Sequence, residues 1–122
     1  MILGIGIDIC PVNRIQQILE RQGDAFENRV YTRTEREYAK GAARFDRLAA
    51  RWAAREAAIK ALNAPKGLGW HDISVENSQT GAPSLLFKGV ALSLAEKLGV
   101  NNIMLSMTHA GGLAVAVVIL EG

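Results

Sequence analysis

Leu3, Ile5, Ile7 and Ile9 fall on one side of an alternating stretch, and Ile2, Gly4, Gly6 and Asp8 fall on the other. That period of two predicts a strand over residues 2–9. Two glycines beside a carboxylate imply that something approaches their face closely. The period then changes. Val12, Ile15, Ile18 and Leu19 keep helical spacing, Pro11 suits the first helical position, and Gly23 suits the stop. Residues 24–40 are expected to form one or two short helices, with Thr34 and Glu37 spaced for a capping box.

The strongest helical pattern covers residues 44–62, RFDRLAARWAAREAAIKAL, which is rich in good helix formers. On a wheel of about 100° per residue, Phe45, Leu48, Ala49, Trp52 and Ile59 form an apolar stripe. Glu56 falls inside that stripe, Lys60 lies at its edge, and Arg44, Arg51 and Arg55 line one flank. The segment 63–69 breaks the helix. Residues 73–77 and 84–88 read as two strands around the turn SQTGAP, and 90–98 as an amphipathic helix stopped by Gly99. The end of the chain reads as a hairpin turned at Ala110-Gly111-Gly112. This order implies one α+β domain over 1–122, an antiparallel sheet packed against a long central helix.

Composition narrows the possibilities. A chain of 122 residues fits one domain, and 49% apolar with 21% charged residues is an ordinary globular balance. A net charge of +2 is too small for a typical nucleic-acid binder. The lone cysteine, Cys10, excludes an internal disulfide, and the opening MILGIGID lacks the basic start of a signal peptide. No apolar run reaches the roughly 20 residues of a spanning helix. A cytoplasmic setting is expected.

Glu56 and Asp8 are the informative carboxylates. A carboxylate within an apolar stripe must be paired, protonated or bound to a metal. Glu56 and Lys60 also have ordinary i, i+4 ion-pair spacing, and the arginine row could be a solvated face. With Pro11 in the first turn the helix cap falls at Cys10, so Asp8 is poorly placed as a cap and better placed as a ligand. Two carboxylates with a lysine and several arginines suit a polyphosphate substrate and Mg²⁺, which accepts one or two carboxylates and completes its shell with water and phosphate oxygens. Mn²⁺ suits the same ligands. There is no P-loop sequence, no complete dinucleotide fingerprint and no G-x-S-x-G around Ser106. His71 and His109 have no metal-binding spacing, and His109 taken alone reads as structural.

Four segments share one resemblance. GIGIDICPVNRI, RFDRLAARWAAREAAIKAL, GLGWHDISVENSQTGAPSL and SMTHAGGLAVAVVILEG resemble, in order, the successive motifs of the holo-acyl-carrier-protein synthases, a family of 4′-phosphopantetheinyl transferases. The resemblance implies transfer of phosphopantetheine from coenzyme A to a serine of acyl carrier protein, releasing adenosine 3′,5′-bisphosphate. It implies Asp8 and Glu56 as Mg²⁺ ligands, Lys60 beside the pyrophosphate, Ser106 and His109 near the cofactor, and Arg44 and Arg51 on the adenosine phosphates. For that transfer Glu56, or a metal-bound water that it orients, is the candidate base for the serine proton. The resemblance also implies a carrier-binding helix, on which Arg14, Ile18 and Arg21 share a face, and a homotrimer with active sites between subunits. By analogy the carrier serves fatty-acid synthesis. Three positions depart from the family pattern: Arg55 replaces a lysine, Ala82 replaces a lysine, and the turn after His109 is short and apolar. A phosphotransferase using a nucleoside triphosphate, and a non-enzymatic module binding an acidic helix, are the rival readings.

Overall fold

The computed structural model describes residues 1–64 and 66–122. In chain order the elements are β1 (Ile2–Pro11), α1 (Val12–Gln22), α2 (Asp24–Val30), α3 (Arg33–Ala39), α4 (Arg44–Leu62), β2 (Ile73–Asn77), β3 (Pro83–Phe87), α5 (Gly89–Leu98), β4 (Asn102–Ala110) and β5 (Leu113–Glu121). An antiparallel sheet of order β1-β5-β4 carries α4 on one face, and β2 and β3 form a separate antiparallel pair. The expected α+β class and central helix are present. Pro65, within the helix-breaking segment, lies outside the described residues.

Local chemistry moves three expected boundaries. Pro11 ends β1 and caps α1 from extended backbone, with no side-chain cap bond, instead of opening the helix. The first free amide of α1, Val12 N–H, donates to the Gly112 carbonyl at 2.8 Å, so the β4–β5 turn supplies what a capping side chain would. The capping box of α3 uses Thr32 and Glu35, not Thr34 and Glu37. Glu35 prevails because its second oxygen also accepts from Val75 N–H of β2 at 2.9 Å, tying the helix start to a strand.

The core forms where α4 meets the sheet. Its deepest positions are small: Ala49, Ala53, Ala54, Ala57 and Ala58 are fully buried, opposite Ala114, Ala116 and Val118 of β5. Phe45, Trp52 and Ile59 of the expected stripe are only half-buried. The alanine face goes deepest because small side chains let the helix bed against a strand that carries glycines. The opposite sheet face is bare in this chain, with Ile5, Ile7 and Ile9 each more than half exposed. Their alternation therefore marks the outer face, and the glycine face is the one packed.

Candidate active site

Gly4 and Gly6 bring β1 so close to α4 that a Cβ on either would overlap the backbone carbonyl of Ala61 or Ala57. Two strand residues span about 6.6 Å and four helical residues about 6 Å. Strand and helix thus run antiparallel in step, and Asp8 is the next residue on the packed face.

Lys60 meets it there. Its ammonium donates to Asp8 Oδ1 at 3.0 Å and to the Ile7 carbonyl at 2.9 Å. Helical side chains lean toward the helix N-terminus, which in this antiparallel arrangement carries the lysine stem forward along β1 from the glycines to Asp8. Glu56, one turn earlier, has its side chain 32% exposed, and its ion pair among the described residues is with Arg55 at 4.0 Å. The i, i+4 pair allowed by the spacing is not made. Glu56 lies on the half-buried flank with Trp52 and Ile59 instead of in the deepest core. Both carboxylates act on Cys10: burial pushes its thiol up to about 11, Arg14 opposes the rise, and Asp8 and Glu56 add to it. Asp8 and Glu56 therefore lie within Coulombic reach of one buried thiol.

The arginine row is not a solvated face. Arg51 and Arg55 are buried, under the flank formed by α3, β2 and the segment 66–72. Arg55 stacks on Trp70 at 4.4 Å and donates through Nε to the Trp70 carbonyl at 3.3 Å. Burial lowers its pKa, and Glu56 opposes that shift. Arg51 lies 4.7 Å over the Tyr38 ring and donates to Asn77 Oδ1 at 2.7 Å, while its buried Nε has no partner among the described residues. Burial lowers its pKa too, with Glu35 the main opposing charge. A cavity of about 310 Å³ lies beside it, lined in part by Tyr38, Arg47, Asn77, Thr108 and His109. His109 Nδ1 is 4.0 Å from Asp46 Oδ1.

The predicted residues thus divide into groups. Asp8 and Lys60 meet where β1 crosses the second half of α4, with Glu56 one helical turn before Lys60 and lining a separate recess with Arg55, Ile59 and Leu68; Arg51 and His109 share the cavity at the helix's first half. The nine helical steps from Arg51 to Lys60 rise about 13.5 Å. Arg44 lies outside the cavity lining and pairs with Glu27. Ser106 is exposed and alternates with half-buried Leu105 and Met107, so it faces the bare side of the sheet. Arg14 and Arg21 are exposed on α1 with half-buried Ile18 between them, and neither joins an ion pair among the described residues. Tyr38, Arg47 and Asn77 were missed. Arg47 had a usable signal, since it continues the row of Arg44 and Arg51 at spacings of three and four.

Residues 4–118 match the model of the 4′-phosphopantetheinyl transferase superfamily. A holo-(acyl-carrier-protein) synthase of Solibacter usitatus is 50% identical over 99% of each chain. One of Anaeromyxobacter dehalogenans is 49% identical over 100% of this chain and 98% of the relative. The crystal structure of the Neisseria meningitidis holo-(acyl-carrier-protein) synthase superposes with a TM-score of 0.87 at 31% identity, covering 100% of both chains. The Helicobacter pylori synthase in complex with coenzyme A gives 0.84 at 28% identity, over 96% of this chain and 99% of that one.

Proposed function

The chain belongs to the 4′-phosphopantetheinyl transferase superfamily, and we propose from that premise that it is a holo-acyl-carrier-protein synthase, moving the phosphopantetheine arm of coenzyme A onto a serine of apo-acyl carrier protein. The observation that carries the reading to this chain's own residues is the meeting of Lys60 and Asp8 across the β1–α4 seam. It joins residues of two separate motifs into one charged site, with Glu56 one turn before Lys60 on α4.

The donor set fits Mg²⁺. The two carboxylates offer only oxygen, and no cluster of three or more His, Cys, Asp or Glu exists among the described residues that could hold an ion unaided. An ion that keeps waters and shares phosphate oxygens suits such a sparse site. An ammonium resting on Asp8 marks that carboxylate as a place for positive charge. Asp8 and Glu56 would hold the ion, which supplies charge neutralisation at the pyrophosphate.

Lys60 is half-exposed, so its ammonium can turn to the pyrophosphate oxygens and offset charge that grows on the leaving group. Glu56, directly or through a water that it orients, accepts the proton of the carrier serine as the serine oxygen bonds to the β-phosphorus. The phosphorus–oxygen bond to the α-phosphate breaks, and adenosine 3′,5′-bisphosphate departs. Arg51, held on Tyr38 and Asn77, and His109 line a cavity for the adenosine phosphates.

Assembly completes the site in this reading. Three copies cover the bare faces that carry Ile5, Ile7 and Ile9, and one copy's Arg51–His109 cavity adjoins its neighbour's Asp8 and Lys60. Exposed Ser106 would then serve the cofactor, and Arg14 and Arg21, outside every ion pair among the described residues, an acidic carrier helix. No helix among the described residues is long and apolar enough to cross a membrane, which is consistent with a cytoplasmic transferase built as one domain over residues 1–122.

The test is intact-mass measurement of an apo-acyl carrier protein incubated with the enzyme and coenzyme A. The expected result is a gain of one phosphopantetheine, abolished by a chelator and restored by Mg²⁺. An unmodified carrier, or one modified only when a nucleoside triphosphate replaces coenzyme A, refutes the proposal.

A further inference from the structure

Lys60 is oriented toward the strand although helical spacing offers it Glu56 one turn earlier. Its ammonium takes two acceptors on β1, Asp8 Oδ1 at 3.0 Å and the Ile7 carbonyl at 2.9 Å. Among the described residues its ion pair is with Asp8 alone. The side chain of Asp8 is only 18% exposed, whereas that of Lys60 is 56% exposed. A lone carboxylate so enclosed is costly, and the ammonium offsets that cost. A divalent cation at the same carboxylate would set like charges on one oxygen. Displaced by the cation alone, the ammonium loses its ion pair with Asp8. Displaced while a pyrophosphate is present, it gains phosphate oxygens in exchange.

The geometry points to Lys60 as a tethered counter-ion that occupies the cation position at Asp8 until the donor's pyrophosphate draws it away, so that divalent cation and coenzyme A bind cooperatively through this one side chain. The inference rests on the reading of Asp8 and Glu56 as cation ligands. Thermodynamic linkage makes the coupling reciprocal: whatever factor coenzyme A adds to cation affinity, the cation adds to coenzyme A affinity.

The experiment is Mn²⁺ titration of the full chain, followed by the electron paramagnetic resonance of the free ion, without coenzyme A and with it saturating. Acceptor is omitted, so nothing turns over. The wild type should bind Mn²⁺ weakly alone and about tenfold or more tightly with coenzyme A. Lys60→Met should bind Mn²⁺ alone about tenfold more tightly than the wild type, with most of the coupling gone. Lys60→Arg, which keeps the charge, should leave binding of Mn²⁺ alone weak. A lysine that served only as a phosphate contact would not alter Mn²⁺ binding in the absence of coenzyme A. Equal affinities of the wild type and Lys60→Met for Mn²⁺ alone therefore overturn the counter-ion role while leaving the cation site intact. Mn²⁺ that binds none of these proteins, or that binds Asp8→Asn and Glu56→Gln as it binds the wild type, overturns the cation site and this inference with it.

Discussion

Gly6 lies against the backbone carbonyl of Ala57, so near that a single methyl group at Gly6 would occupy the space of that oxygen. The neighbour is main chain of a buried helix and cannot turn aside. Gly6→Ala must therefore push α4 off β1, at a cost of about 3 kcal/mol as overpacking. Urea denaturation should show the loss. Whatever variant remains folded should also lose transfer activity, because the same seam sets Lys60 against Asp8.

Glu56→Gln separates chemistry from folding. Its carboxylate is one-third exposed and 4.0 Å from Arg55, so its removal should leave the urea midpoint nearly unchanged. Transfer should fall by about a hundredfold or more, the usual loss when a general base is removed. Single-turnover mass spectrometry on apo-carrier protein measures it, and a wild-type rate would remove Glu56 from the mechanism.

Ile5 tests the assembly. A charge at the centre of a bare isoleucine face has no effect on a chain that works alone, but cannot be buried between copies without a partner. Ile5→Lys should reduce the native mass to one-third in analytical ultracentrifugation. Activity should be lost with it, since the proposed site draws residues from two copies.

Arg14 and Arg21 test the carrier surface. Both are exposed on α1 and outside every ion pair among the described residues. Reversing both to glutamate should raise KM for the carrier about tenfold while kcat stays, and should flatten the dependence of KM on salt. A KM that does not move places the carrier elsewhere.

Glu35 gives a pH signature. Burial raises its pKa above the ordinary carboxylate value, opposed by amide donors from Val75 and Thr32 and by the charge of Arg51. Between the unfolded and folded values the native chain keeps a proton that the unfolded chain has released. Its contribution to stability is thus fully present below the ordinary value and is lost as pH rises through the folded one. Urea midpoints of the wild type should decline across that window relative to those of Glu35→Gln. Parallel curves for the two proteins would exclude this carboxyl as the source.

Helix α4 was legible at both ends because its formers, its breakers and its length agree. The pairing of Lys60 was not. Helical spacing knows about Glu56, four residues away, but not about a strand more than fifty residues earlier, and Asp8 prevails because β1 comes near enough to be reached. The close approach to the glycine face of β1 was legible from Gly4 and Gly6. That α4 is the element that approaches, and that the isoleucine face stays bare in this chain, no local pattern contains. Spacing alone left open whether Arg51 and Arg55 form a solvated row, because the rings that cover them, Tyr38 and Trp70, come from other elements. The capping box shifted by two residues because Glu35 also serves Val75 of β2, a contact that no local pattern contains.

The turn at Gly111-Gly112 is only two residues long, and both adopt positive φ, 59° and 79°. Its last carbonyl moors the start of α1 through Val12. Any insertion at this tip would slacken the mooring, and Pro11 has no side-chain bond with which to replace it. The helix proposed to meet the carrier and the strand that carries His109 are thus berthed at one post, and a graft that lengthens the hairpin would set that helix adrift.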